Sequence, residues 1–244
     1  MGAIDIQMSS AFATTVARTP GYVADQWYIP VSVGHPAFRG KKLRQLVTFV
    51  AAHARRSIFV IGDDLLRLNV MMRTGASESE ALGVARLRGE QQAMSLQRER
   101  RRFPDADLAL SFVRDWTSRS SFLPYRLALE RMSQTNSSFA KAIEQCAYAY
   151  LVSHQDRPLA VSENSAMMLS REFLLEEIAV FTILSHEGWS TEAYPGPELP
   201  VLIELAAGRY PEAPIPLQQR ISIQLAFSGS GINICGSVNP KLSR

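Results

Sequence analysis

The sequence predicts an α/β protein, with a mostly parallel sheet and flanking helices. Three observations predict it. Trp27, Tyr28, Ile29, Val31 and Val33 form an apolar strand that meets a turn at Gly34-His35-Pro36, after which Leu43, Leu46, Val47 and Val50 recur at helical spacing in a helix that runs to Arg55. Arg56–Asp63, RSIFVIGD, contains an uninterrupted Ile-Phe-Val-Ile run, as expected of a central parallel strand buried on both faces. Beyond these, strand-like and helix-like stretches keep alternating, which implies parallel strands joined by crossover helices.

Taken in order, residues 1–25 are small and polar, with Pro20 and Gly21, and read as a loose lead-in. Ser77 and Glu80 have the S-x-x-E spacing of a capping box. No proline follows until Pro104, so one long helix should run from Ser77 to Phe103. Leu108–Trp116 alternates and reads as a third strand, with helices next around Leu123–Met132 and Ser138–Ser153. Asn164–His186 is a long, largely apolar helix that Gly188 ends. Trp189–Tyr194 reads as a short strand broken by Pro195-Gly196-Pro197, Leu199–Ala207 as a helix and Arg220–Phe227 as the last strand. The tail from Ser228 to 244 reads as frayed. With no internal repeat, residues 1–244 are expected to form one domain.

Composition narrows the class. A hydrophobic content of 46% supplies a core, and 20% charged residues suit a globular protein. A net charge of +3 does not by itself indicate nucleic acid. Cys146 and Cys235 lack neighbouring ligands at metal-site spacing, so two reduced thiols in a cytoplasmic protein are expected, with no metal. No signal peptide and no membrane-spanning run is legible. A G-x-x-x-x-G-K-[ST] loop, a G-x-G-x-x-G turn and a G-x-S-x-G elbow are all missing, so no cofactor is expected. A strand followed by a tight turn and a helix is where open α/β folds hold their chemistry, and Ser32 sits at that strand end.

Several segments, in order, resemble the cyclodipeptide synthases. Val31-Ser32-Val33-Gly34-His35-Pro36 with Gly40-Lys41-Lys42 is similar to that family's nucleophile segment. Gly62-Asp63-Asp64-Leu65-Leu66-Arg67-Leu68-Asn69 is similar to its second strand end, and Phe173-x-x-x-Glu177 and Ala193-Tyr194-Pro195-Gly196 to its two other active-site segments. His35, three residues after Ser32, and the pair Tyr194-Pro195 resemble the branch that carries a variable residue and then Tyr-Pro. The resemblance implies a Rossmann-like domain similar to the catalytic domain of class I aminoacyl-tRNA synthetases. It also implies two aminoacyl-tRNAs as substrates and a 2,5-diketopiperazine as product; the sequence leaves the oligomeric state open, with a monomer favoured. It assigns Ser32 as nucleophile, Glu177 as partner of the substrate α-ammonium, and Tyr194 as a hydroxyl that orients the aminoacyl group or relays a proton. Tyr28, Gly34, His35, Val60, Phe173 and Pro195 are expected around the substrate. The family usually has Tyr where this chain has Phe173, so one hydroxyl is missing.

Each residue also has a plainer reading. Ser32 would serve equally as a turn serine, and a serine hydroxyl is a weak nucleophile unless its acyl donor is already activated, as an aminoacyl-tRNA ester is. His35 is near enough in sequence to act as a base for Ser32, or is a turn residue. Glu176 and Glu177 lie together on an apolar helix, where a buried carboxylate needs a cation; the family pattern favours Glu177. Arg86, Arg88, Arg98, Arg101 and Arg102 form either a solvated face or a surface for tRNA phosphates, the role the resemblance implies. The runner-up functions are a serine acyltransferase or esterase and a non-catalytic tRNA-binding protein.

Overall fold

The structure is a computed structural model that describes residues 26–189, 191–228 and 231–237. Its six strands form one sheet in the order β3-β2-β1-β4-β5-β6. β1 (Gln26–Val31), β2 (Arg56–Ile61), β3 (Asp107–Phe112), β4 (Thr191–Tyr194) and β5 (Ile221–Ser228) run parallel. β6 (Gly231–Ser237) closes the edge antiparallel to β5.

Strand alternation sorts the core into two layers. Trp27, Ile29, Val31, Phe59 and Ile61 pack with Leu43, Leu46 and Phe49 of α1 (Gly40–His53) and Ala93 and Leu96 of α3 (Glu78–Arg100). Tyr28, Ile58 and Val60 face the other way, onto α5 (Phe122–Thr135), α6 (Ser137–Ser153) and α7 (Glu163–His186). Because β1 and β2 are covered on both sides, their sequences read as continuous apolar runs. α2 (Leu66–Thr74) lies between α3 and α7, α4 (Val113–Thr117) directly follows β3, and α8 (Pro200–Ala206) and α9 (Ile215–Gln218) lead from β4 into β5.

The capping box expected at Ser77 and Glu80 is present in full, with both reciprocal hydrogen bonds. Farther along α3, Gly89 lies so close to the end of β2 that a Cβ there would sit 2.6 Å from the Cβ of Asp63. Glycine is what lets the helix approach the sheet at that point.

Several expectations need correction. The third strand stops at Phe112, and Val113–Trp116 is helical; the side chain of Asp115 accepts the Phe112 N–H at 2.8 Å, which starts the helix there. The long helix ends at Arg100, three residues short of Phe103. The short strand begins at Thr191 rather than Trp189. The segment expected to be frayed from Ser228 contains β6, whose register with β5 runs from Ser222–Ser237 to Ser228–Gly231. The lead-in 1–25 and residues 238–244 lie outside the described residues. Helix α2 is not legible from Gly62–Asn69, whose sequence resembles a strand end. Among the described residues no helix is long and apolar enough to cross a membrane.

Candidate active site

The strand order reverses between β1 and β4, so the carboxyl ends of these two neighbours form the switch point where open α/β sheets bind ligands. Ser32 follows β1 and Tyr194 ends β4. The register that pairs Tyr28 with Glu192 brings both ends to one edge, where the Ser32 hydroxyl and the Tyr194 phenol lie 3.1 Å apart.

The turn after β1 is tight. The His35 N–H donates to the Ser32 carbonyl at 3.1 Å, and Gly34 takes φ +89°, a conformation side-chain-bearing residues rarely adopt. His35 then starts a single 3-10 turn, Pro36–Phe38, its Nδ1 accepting the Ala37 N–H at 3.3 Å. His35 is therefore a turn and capping residue, and among the described residues its ring has no hydrogen bond to the Ser32 hydroxyl. Burial, Lys42 and His154 all lower its pKa. Phe38 and His35 flank the Tyr194 ring, with centroids 6.1 and 6.5 Å away. Gly196 also lies close against the ring, since a Cβ there would be 3.0 Å from it. Burial raises the Tyr194 pKa, the Ser32 hydrogen bond lowers it, and the charges of Glu177 and Glu192 raise it, so the phenol stays protonated.

The two adjacent glutamates of α7 have different fates. Glu176 is buried and takes a forked pair from Arg67, at 2.6 and 2.8 Å, tying α7 to α2. Glu177 keeps part of its surface open, and among the described residues it has neither a hydrogen bond nor an ion pair. Burial of its carboxyl, reinforced by the nearby charge of Glu192 and only partly offset by Arg220, pushes its pKa up to about 8. Phe173 lies one turn before it, half-buried against the same core.

Beneath this layer is a network of charges. Tyr28, completely buried, donates its hydroxyl to Glu192 at 2.8 Å. Arg220, 1% exposed, pairs with Glu192 and Glu198 through its two terminal nitrogens and donates to the Tyr28 hydroxyl at 3.4 Å. Its guanidinium also lies over Phe181, one turn after Glu177. Tyr28 and Val60, expected around the substrate, are core residues at this depth, and Pro195 is buried just after Tyr194. Sequence reasoning missed Glu192, Glu198 and Arg220. The available signal was a lone acid in a short strand, TEAY, and an arginine directly before a buried strand.

The Gly62–Asn69 segment turns out to be a brace. Asp63 pairs with Arg114 at 3.0 Å, Asp64 holds Arg86 through two bonds of 2.9 and 3.0 Å, and Arg67 grips Glu176. Of the five arginines expected to bind RNA, Arg86 is thus engaged by Asp64, and Arg102 pairs with Glu99 at 3.3 Å. Arg88 and Arg98 on α3, and Arg101 just past its end, are exposed with no partner among the described residues.

The fold is a Rossmann-like α/β domain, and it is the fold of solved cyclodipeptide synthase structures. A CDPS from Fluoribacter dumoffii superposes with a TM-score of 0.70 at 17% identity, covering 86% of this chain and 88% of that one. The cyclodipeptide synthase from Candidatus Glomeribacter gigasporarum, solved bound to Phe-tRNAPhe, gives 0.63 at 18% identity over 84% and 88%. A Mycobacterium tuberculosis protein, whose structure is described as relating cyclodipeptide synthetases to type I tRNA synthetases, gives 0.63 at 14% over 81% and 82%. No protein-family model and no curated protein matches the sequence.

Proposed function

We propose that this chain is a tRNA-dependent cyclodipeptide synthase, with Ser32 as nucleophile. The observation that carries the reading is the 3.1 Å contact between Ser32 and Tyr194 at the sheet's switch point. Nearby stands Glu177, a carboxyl with no partner among the described residues and a pKa near neutrality. A polar group burdened in this way is expensive unless a ligand completes it.

In the first step the Ser32 oxygen attacks the ester carbonyl of an aminoacyl-tRNA. The acyl–oxygen bond to Ser32 forms, the bond to the ribose breaks, and the hydroxyl proton reaches the ribose oxygen with Tyr194 as relay. The N–H groups of Val33 and Gly34 make no hydrogen bond among the described residues and suit the developing oxyanion, whereas that of His35 is taken by the turn. Glu177 holds the α-ammonium. A bound α-ammonium supplies the cation whose absence keeps the Glu177 carboxyl protonated, and so draws it into its ionised form. The carboxylate then takes one proton from the ammonium, and the freed amine attacks a second aminoacyl ester, forming the amide as the bond to the second ribose breaks. The dipeptidyl ester on Ser32 then closes when its free amine attacks the ester carbonyl, releasing the diketopiperazine and restoring the hydroxyl. The incoming ester is already activated, so no nucleotide is consumed, and one chain carries all three groups. Arg88, Arg98 and Arg101 would receive RNA phosphates.

An esterase using His35 as base gains nothing from the geometry, because its Nδ1 faces the Ala37 N–H. Expression in a bacterial host followed by mass spectrometry of the medium tests the proposal. A cyclic dipeptide should appear with the native chain and vanish with Ser32→Ala. Its absence from a well-expressed native chain would favour a protein that binds tRNA without catalysis.

A further inference from the structure

We propose that Arg220 is a positioning residue for Tyr194, its guanidinium joining Glu192 and Glu198 on either side of that residue and so holding the phenol against Ser32. The role rests on the acyl-transfer reading above, but its structural basis is independent of it. Tyr194 ends a four-residue strand and is followed at once by Pro195-Gly196-Pro197. Among the described residues the pairing of β4 ends at Tyr194. What closes the segment instead is one fully buried guanidinium, which pairs with the residue two before the phenol and the residue four after it. Proline, glycine and proline turn the chain back so that Glu198 reaches the same cation as Glu192.

The fork is also anchored below. Tyr28 stands opposite Glu192 in the β1–β4 register, and Ser32 lies four residues farther along the same segment. The Tyr28–Glu192 hydrogen bond therefore couples the height of β4 to that of β1, and the two hydroxyls at the top inherit that alignment. An arginine suits the task because its planar fork reaches two carboxylates in a fixed geometry, which a lysine does not. A buried ion network of this kind adds little net stability. Its retention under a reactive edge is better explained by the alignment it enforces, since a small displacement of reacting groups costs about a hundredfold in rate.

Removing Arg220 itself would strand two buried carboxylates, so the test cuts one prong. Glu198→Gln leaves the Arg220–Glu192 pair intact. Acylation of Ser32 is followed by intact-protein mass spectrometry, with a mixture of charged tRNAs and with a panel of aminoacyl thioesters as donors. Glu198→Gln should slow acylation about tenfold or more while leaving tRNA affinity unchanged. The same change in a Tyr194→Phe background should have almost no further effect, because the phenol it serves is gone. Additive losses in the double variant would overturn the proposal. A second arm needs no acyl donor. With 13Cζ-labelled tyrosine, the Tyr194 resonance, assigned through Tyr194→Phe, should shift or split in Glu198→Gln. An unchanged resonance would refute the fork's role even if Ser32 proves unreactive, whereas a silent Ser32 with a shifted resonance counts against the synthase reading alone.

Discussion

Replacing Glu177 by glutamine should stabilise the protein in alkaline solution while destroying its activity. The carboxyl's ordinary value of 4.5 is pushed to about 8 in the fold. Below about pH 4.5 it is protonated in both folded and unfolded chains and favours neither. As pH rises from there to about 8, the unfolded chain releases a proton that the folded chain retains, so folding stability falls; above about 8 the loss is complete. The full difference corresponds to about 5 kcal/mol, and water reaching the open side of the carboxyl reduces it to on the order of 3 kcal/mol. For a chain of this size that is roughly 10 °C in melting temperature. Glutamine keeps the shape and carries no charge. Thermal unfolding followed by circular dichroism from pH 5 to 9 should show the two proteins diverging from about pH 5, with the native chain falling progressively behind and the gap complete near pH 8. Parallel curves would refute the reasoning, because they would mean that Glu177 ionises in the fold as freely as in water.

Three further outcomes are expected. Reversing Arg88, Arg98 and Arg101 to Glu should weaken binding of charged tRNA and flatten its dependence on salt, by about 0.9 in slope for each lost phosphate contact; filter binding across a salt series reads this, and an unchanged slope would assign the three to solvent. Gly89→Ala should cost about 1–3 kcal/mol in thermal unfolding, because the added methyl meets Asp63 at 2.6 Å; an unaltered melting temperature would show that the helix shifts freely. His35→Asn should leave Ser32 acylation nearly intact, since an amide can accept the Ala37 N–H as the imidazole does; a large loss would restore the histidine as base.

The central strands were legible because burial on both faces leaves a run of apolar residues, and the Ser77–Glu80 box was legible because capping uses fixed spacing. The turn after β1 was legible because Gly34-His35-Pro36 interrupts both the strand and the helix pattern. The choice between Glu176 and Glu177 was not open to spacing. It turned on Arg67, more than a hundred residues away in sequence, which claims one acid and leaves the other. The Arg220 network was hidden for the same reason, since a buried cation is recognisable only once both of its carboxylates are in place. Asp115 converted the end of an alternating run into a helix through one local hydrogen bond, which a strand pattern of period two does not register. β6 was missed because Gly231, Asn233 and Gly236 resemble loop residues until an antiparallel neighbour pairs them.

The capture of an amino acid by Ser32 is open to direct observation. Purified protein mixed briefly with charged tRNAs and no ATP, then digested and sequenced by tandem mass spectrometry, should carry an aminoacyl group on the peptide containing Ser32. An unmodified Ser32 peptide, or an adduct on any other residue while product still forms, would contradict the mechanism.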